Sequence, residues 1–263
     1  MHEGWVRFGD QYASERAYEV RLVLSTRLTR DPLVVLDVGG GDASLGVGIG
    51  WPGARVVCLD LDWDRLRIGL AEARRRHLPA TFAAADVSAL PIRSASCDVV
   101  LLYGILELLE HPERLARETS RVLRAGGVGY LVVPNPLSPI TVFDDPHTHL
   151  PFTHLLPARV ARGYAQRFMR RRVKEIGKHF ALPSYGRLQT MFARAGLRLE
   201  RVSNLMRIEE PSLVLSPRKR RLAAWLRATG ALRFAHTPPG GMLLGVYDRW
   251  IARSWAFVIT PGG

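Results

Sequence analysis

Cysteine is nearly absent from this 263-residue chain, with Cys58 and Cys97 alone, both inside apolar, strand-like runs. That scarcity argues against a disulfide framework or a cysteine-rich zinc site and predicts a reducing, cytoplasmic setting. Long apolar runs are missing too. The longest, Val99 to Leu109, is interrupted by Glu107 and falls well short of the roughly 20 residues a membrane span needs. The first residues, Met1 to Trp5, offer neither a basic tip nor an apolar stretch, so no secretory leader is expected. There is no internal repeat and no low-complexity tract. What remains is ordinary for a globular α/β protein: 47% of residues are hydrophobic and 23% charged, enough to bury a full core.

Acidic residues are scarce in one half only. Residues 1–136 hold 16 basic and 17 acidic residues, whereas residues 137–263 hold 21 basic and 7 acidic, a balance of +14. The asymmetry suggests a near-neutral half that builds a site and a basic half that meets something anionic. Only three of the basic residues are lysine. Arginine and alanine richness also follows from a GC-rich genome, which discounts the excess.

The hydrophobic pattern predicts a doubly wound parallel sheet. Residues 12–30 carry apolar positions at Tyr18, Leu22 and Leu28 and are expected to form a helix stopped before Asp31-Pro32. Strands are expected at Leu33–Val38, Arg55–Leu59, Thr81–Ala84, Asp98–Tyr103 and Val128–Val133. Between them the pattern gives helices at Ala43–Ile49, Asp64–Arg76 and Pro112–Arg124, the last ended by Gly126-Gly127. Strands alternating with helices over this length mean an α/β, Rossmann-like sheet with ligands at the carboxyl ends of its strands. Beyond Pro134 a proline- and histidine-rich stretch to Pro157 predicts an ordered loop or lid. Helices are then expected at Ala158–Phe180, Tyr185–Ala195, 219–234 and 242–253, with strands at Leu197–Ser203 and Trp255–Thr260.

Three acids fall at three successive strand ends. Asp37 precedes Gly39-Gly40-Gly41 at the first strand-to-helix turn, where glycines let a ligand approach and a helix start offers free N–H groups. A carboxylate there suits an ammonium-bearing ligand better than a pyrophosphate. Ser44 stands where a dinucleotide fingerprint needs its last glycine, which argues against an NAD-linked oxidoreductase. Asp60 ends the second strand, where a ribose diol is bound in such sheets, and Asp86 follows the third, within reach of an adenine amino group. Asp62 and Asp64 compete with Asp60, although Asp64 suits a helix cap or first-turn charge. Singly, each acid also fits a solvated or capping role.

Val-Leu-Asp-Val-Gly-Gly-Gly (35–41), Cys-Leu-Asp-Leu-Asp (58–62), Asp86 before Leu90-Pro91, Cys97-Asp98-Val-Val, Glu107 and Arg-Val-Leu-Arg-Ala-Gly-Gly (121–127) occur in one order. In that order and spacing, over about residues 30–136, the chain resembles the class I S-adenosylmethionine-dependent methyltransferases, specifically the small-molecule group that includes quinone-biosynthesis enzymes. The resemblance implies a seven-stranded sheet with an antiparallel last strand and an inserted lid after the fifth. It implies that Asp37 and Gly39, Gly40 and Gly41 hold the methionine part of S-adenosylmethionine, Asp60 the ribose, and Asp86 with Val87 the adenine. Leu61 and Tyr103 join the cofactor contacts. Ala43 replaces a glycine common in the family, and Leu108 replaces a histidine, whose role therefore cannot be carried over. No Asn/Asp-Pro-Pro-Tyr/Phe motif follows the fourth strand, which argues against methylation of nucleic-acid base amines.

The resulting division is a cofactor-binding core at 1–136, a lid at 137–184 and a C-terminal completion of the sheet at 185–263. In the lid, Asp144, Asp145, His147, His149 and His154 are the types that bind metals, but the family needs no metal and none is expected. One of His147, His149 and His154 is the candidate general base, with Tyr103 and Glu107 as rivals; loop packing is the plain alternative. The clusters at 167–174 and 218–221 adjoin Leu222, Trp225, Leu226 and Phe234, a pattern fit for an anionic membrane surface or for packing on the sheet with a solvated basic face. The expected acceptor is a small or lipid-linked molecule methylated at oxygen or carbon. The rival is a basic nucleic-acid-binding protein without turnover, or an RNA methyltransferase; no recognised RNA module accompanies the arginines.

Overall fold

Each expected apolar run becomes a strand of one sheet. The computed structural model describes residues 16–28, 33–49, 51–169, 182–203 and 231–262, with 221, 224, 225, 228 and 229 between the last two. Its strands are β1 (Val34–Val38), β2 (Arg55–Asp60), β3 (Ala80–Ala84), β4 (Cys97–Tyr103), β5 (Leu123–Pro134), β6 (Leu197–Arg201) and β7 (Ser254–Pro261). They lie in the order β3-β2-β1-β4-β5-β7-β6. The first five pair in parallel, and β7 runs antiparallel to both β5 and β6.

Alternate side chains of each strand feed two separate cores. Leu36, Val38, Val100, Leu102, Leu131 and Val133 point to one face, where Leu115 and Val122 of α4 (Pro112–Val122) and Leu188 and Phe192 of α7 (Tyr185–Arg194) cover them. Val35, Val99, Leu101, Tyr130 and Val132 point to the other, under α1 (16–25), α2 (Ser44–Gly48) and α3 (Trp63–Arg75). Both faces of the central strands are therefore dry, which explains why they are continuous apolar runs.

Several boundaries differ from expectation for local reasons. The buried face of α1 is Ala17, Val20, Val23 and Leu24, while Tyr18 is exposed, so small residues rather than the tyrosine meet the sheet. Gly126-Gly127 do not end α4: the helix stops at Val122, and Leu123 already pairs with Cys97 across a register shift. Asp62 caps α3 by accepting from the Arg65 amide, and Asp64 is the first-turn charge, the second of the two roles expected for it. The helix expected over 242–253 begins earlier, as α9 (Pro238–Val246), and passes into a π turn at Tyr247–Ile251. Of the expected helix 158–180, α6 (Ala158–Met169) is described and residues 170–180 lie outside the described residues. Most of 219–234 lies outside them too, leaving α8 (Ala231–Ala235).

Buried Asp98, paired with the partly exposed Arg124, fastens the amino ends of β1, β4 and β5. Asp98 Oδ2 accepts from the Val34 amide and Oδ1 from the Arg124 guanidinium, each at 2.8 Å. Asp98→Ala orphans both donors and is expected to cost about 2 to 4 kcal/mol in urea denaturation. A loss under about 1 kcal/mol would place the fastening elsewhere.

The insertion after β5 is folded and pinned. Its α5 (Pro139–Phe143) is preceded by Asn135, whose amide group donates to the Arg249 and Ala252 carbonyls, and by Ser138, whose hydroxyl donates to the Ile251 carbonyl. Thr141 Oγ1 reaches the Arg253 carbonyl. The expected loop is thus tied to the segment just before β7.

Candidate functional site

The carboxyl ends of β1 to β4 share one edge of the sheet, and the strand order reverses between β1 and β4. That crevice is where ligands of open α/β sheets bind. The loops after β1 and β4 meet there. Gly39 has φ +65°, and a Cβ on it would run into the Ile105 side chain, so the approach depends on a glycine. A Cβ on Gly40 would meet the Asp37 carboxyl instead, and one on Gly41 (φ +57°) the Arg65 guanidinium. Ala43 adopts φ 54° where the family's further glycine would stand, a left-handed conformation that costs an alanine roughly 1 to 2 kcal/mol.

The three acids do different things. Asp37 is 1% exposed, and its Oδ2 accepts from the Gly46 amide at 3.0 Å. Burial pushes its pKa up to about 7, against the pull of that hydrogen bond. A Cβ on Gly46 would also strike this carboxyl, so Asp37 lies beneath the loop between two glycines. Sequence reasoning passed over Gly46. Asp60 accepts from the Gly41 amide at 2.7 Å and the Asp62 amide at 2.9 Å, one on each oxygen, which leaves each oxygen a lone pair for another donor. Asp86 is exposed, and hydrogen bonds from Ser88 hold its carboxyl below the usual range. Leu61 is exposed beside Asp60, whereas Val87 is buried in the core. Tyr103 ends β4 with the Arg16 guanidinium 4.7 Å over its ring. Arg121 anchors the loop after β3 by donating to the Leu90 and Ile92 carbonyls while paired with Glu118.

The three histidines part company. His149 is exposed and bonds Asp144 at 2.9 Å. His154 is buried with both nitrogens engaged, Nδ1 by Asp145 and Nε2 by the Pro136 carbonyl. His147 Nε2 is buried, has no hydrogen-bond partner, and lies 4.0 Å from Glu107 Oε1. Glu107 sits in the 3-10 turn Leu106–Leu108 after β4, is 5% exposed, and its Oε2 likewise has no partner. Burial raises the Glu107 pKa to about 7 and lowers that of His147, whose imidazole is kept neutral. Among the described residues no three His, Cys, Asp or Glu side chains converge as a metal cluster.

Comparison with known proteins agrees with this fold. A family model described as a methyltransferase domain matches residues 36–131. The chain is 32% identical over 90 residues, 34% of its length and 38% of the relative's, to a ubiquinone/menaquinone biosynthesis C-methyltransferase, UbiE, of Syntrophotalea carbinolica. It spans 38 to 60% of the length of the first curated relatives it matches. Among solved structures, a proposed sarcosine dimethylglycine methyltransferase from Galdieria sulphuraria superposes with TM-score 0.55 at 12% identity, covering 93% of this chain and 84% of that one. The [4+2]-cyclase SpnF superposes with TM-score 0.54 at 18% identity, covering 93% and 81%. A cyclase on the same fold shows that the fold alone does not fix the reaction. Residues 36–131 thus match a methyltransferase domain, and the seven-stranded sheet has the Rossmann-like, class I methyltransferase fold.

Proposed function

We propose that the chain transfers a methyl group from S-adenosylmethionine to oxygen or carbon of a small-molecule acceptor, free or lipid-linked. The observation that carries the reading is the pair of buried, unpartnered atoms Glu107 Oε2 and His147 Nε2 beside the crevice. A buried polar atom without a partner costs about 1 to 3 kcal/mol, so two together are best explained by a ligand that satisfies them. The donor side fits as well. In this reading Gly39, Gly40 and Gly41, shaped by Asp37 beneath, hold the methionine part. Asp60, with Leu61 beside it, takes the ribose diol through its spare lone pairs, and Asp86, placed by Val87, takes the adenine; Tyr103 borders the crevice.

When bound, S-adenosylmethionine supplies a methyl group on a sulfonium, already a good leaving group. The protein's share is alignment, exclusion of water and removal of the acceptor's proton. Neutral His147 can take that proton, and Glu107 can orient the acceptor or stabilise the resulting imidazolium. His149 is turned to solvent and His154 is committed to Asp145 and Pro136, which leaves His147 as the base. Residues 1–136 then form the donor core, 137–184 the acceptor insertion, and 185–263 the completion of the sheet. A cytoplasmic location accords with the two buried, free thiols of Cys58 and Cys97.

The test is formation of S-adenosylhomocysteine with phenolic, quinol and polyprenyl-linked acceptors, followed by mass spectrometry. His147→Ala is expected to lower turnover about 10²- to 10⁴-fold with donor affinity nearly unchanged, whereas His149→Ala should be silent. Equal turnover in all the histidine variants would remove the base from the mechanism.

A further inference from the structure

The C-terminal helical run carries an apolar stripe on its outside. In α9 and the π turn that continues it, Met242, Leu243, Val246, Tyr247, Trp250 and Ile251 are 44 to 67% exposed. Their spacing, two residues in every four, is one face of a helix. On the opposite side Asp248 and Ala252 are buried. A surface helix of a water-soluble domain normally shows the reverse pattern.

The stripe continues onto the insertion that carries His147. Ser138 and Asn135 bond the carbonyls of Ile251 and Arg249, which sets α5 against the end of the run, and there Leu137, Ile140 and Phe143 are exposed too. Single exposed apolar residues need no explanation, but nine on adjoining segments mark a contact surface.

Charge selects the partner. In residues 231–262 the only acid is Asp248, which is buried and accepts from the Ser203 hydroxyl at 2.8 Å. Arg233 is exposed, and the Arg249 guanidinium lies 5.0 Å over the Tyr185 ring and 5.6 Å over that of Trp250, at the edge of the stripe. The half of the chain that bears this face has a balance of +14, so a second copy is repelled and an anionic surface attracted. Tyrosine and tryptophan are the side chains that settle at a headgroup boundary.

We propose that the stripe from Met242 to Ile251, with the exposed side chains of α5, is an in-plane docking surface for an anionic lipid bilayer. The helix lies along the membrane rather than crossing it, as an apolar face edged by arginine does. Docking there brings the insertion and its buried Glu107–His147 pair close to the bilayer. The inference does not rest on methyl transfer, because vesicle binding is read without turnover.

The experiment is sedimentation of the full chain with phosphatidylglycerol or phosphatidylcholine vesicles at low and high salt. The wild type should partition onto the anionic vesicles about tenfold or more better than onto the neutral ones, and salt should erode the difference. Met242→Ser, Leu243→Ser and Val246→Ser combined should weaken that binding about tenfold or more while the melting temperature holds. Independently of that variant's folding, brominated lipid should quench wild-type tryptophan fluorescence, and Trp250→Phe should lose most of the quenching. No vesicle binding, binding unaffected by a folded triple variant, or absence of quenching would overturn the proposal. A vesicle-free dimer dissolved by the same substitutions, without lipid binding, would assign the face to a second copy instead.

Discussion

Glu107→Gln is expected to cost activity and add stability at the same time. Glutamine keeps the shape of the side chain but cannot ionise, so turnover should fall about 10²- to 10⁴-fold if the carboxylate supports proton removal. Donor affinity should change little. The stability effect follows from linkage: a carboxyl whose pKa rises from 4.5 to about 7 on folding stabilises the protein most below pH 4.5 and loses that contribution as pH rises through 7. The shift corresponds to an upper bound of about 3 kcal/mol, present in the wild type at low pH and gone by about pH 8. Glutamine is indifferent to this titration. The variant should therefore gain relative to the wild type between pH 5 and 8 in urea denaturation, with a flatter pH profile than the wild type. Full activity in Glu107→Gln would remove Glu107 from the chemistry, and an unaltered pH profile of stability would show that the carboxyl is not desolvated as the fold implies.

Asp60→Ala should weaken S-adenosylmethionine binding about 10- to 150-fold, the equivalent of about 1.5 to 3 kcal/mol for a lost charged acceptor. The same substitution frees the Gly41 and Asp62 amides, which Asp60 holds at 2.7 and 2.9 Å. Both donors can turn to water, so the fold should survive with a loss near 1 kcal/mol. Asp60→Asn separates the two roles. It keeps an acceptor for one amide yet cannot receive both ribose hydroxyls, and should show most of the affinity loss with less of the stability loss. Unchanged affinity in a folded Asp60→Ala protein would overturn the ribose assignment.

The sheet was legible in the sequence because burial on both faces writes itself as unbroken apolar runs such as Leu33–Leu36 and Val99–Leu102. Even the alanine-rich edge strand β3 forms, since pairing with β2 supplies what its propensity does not. Boundaries were less legible. The start of β5 at Leu123 is set by pairing with Cys97 across the sheet, which no local signal at Gly126-Gly127 records. The donor-side acids were readable from their place at strand ends, but the difference between Asp37, sealed under the glycine loop, and Asp86, open to water, is a matter of tertiary packing. The same holds for Glu107. Its sequence neighbours show an acid in an apolar run, and only the fold shows that its Oε2 is buried without a partner and near His147. Among His147, His149 and His154 the spacing did not discriminate, because their partners, Asp144 for His149, Asp145 and Pro136 for His154 and nearby Glu107 for His147, are set by the folded loop.

Calorimetric titration with S-adenosylmethionine and S-adenosylhomocysteine tests the central claim most directly. The account predicts that both bind at one site per chain, that Asp60→Ala weakens both by one to two orders of magnitude, and that Glu107→Gln leaves both nearly unchanged. Absence of binding by the folded wild type, or binding indifferent to Asp60, would contradict it.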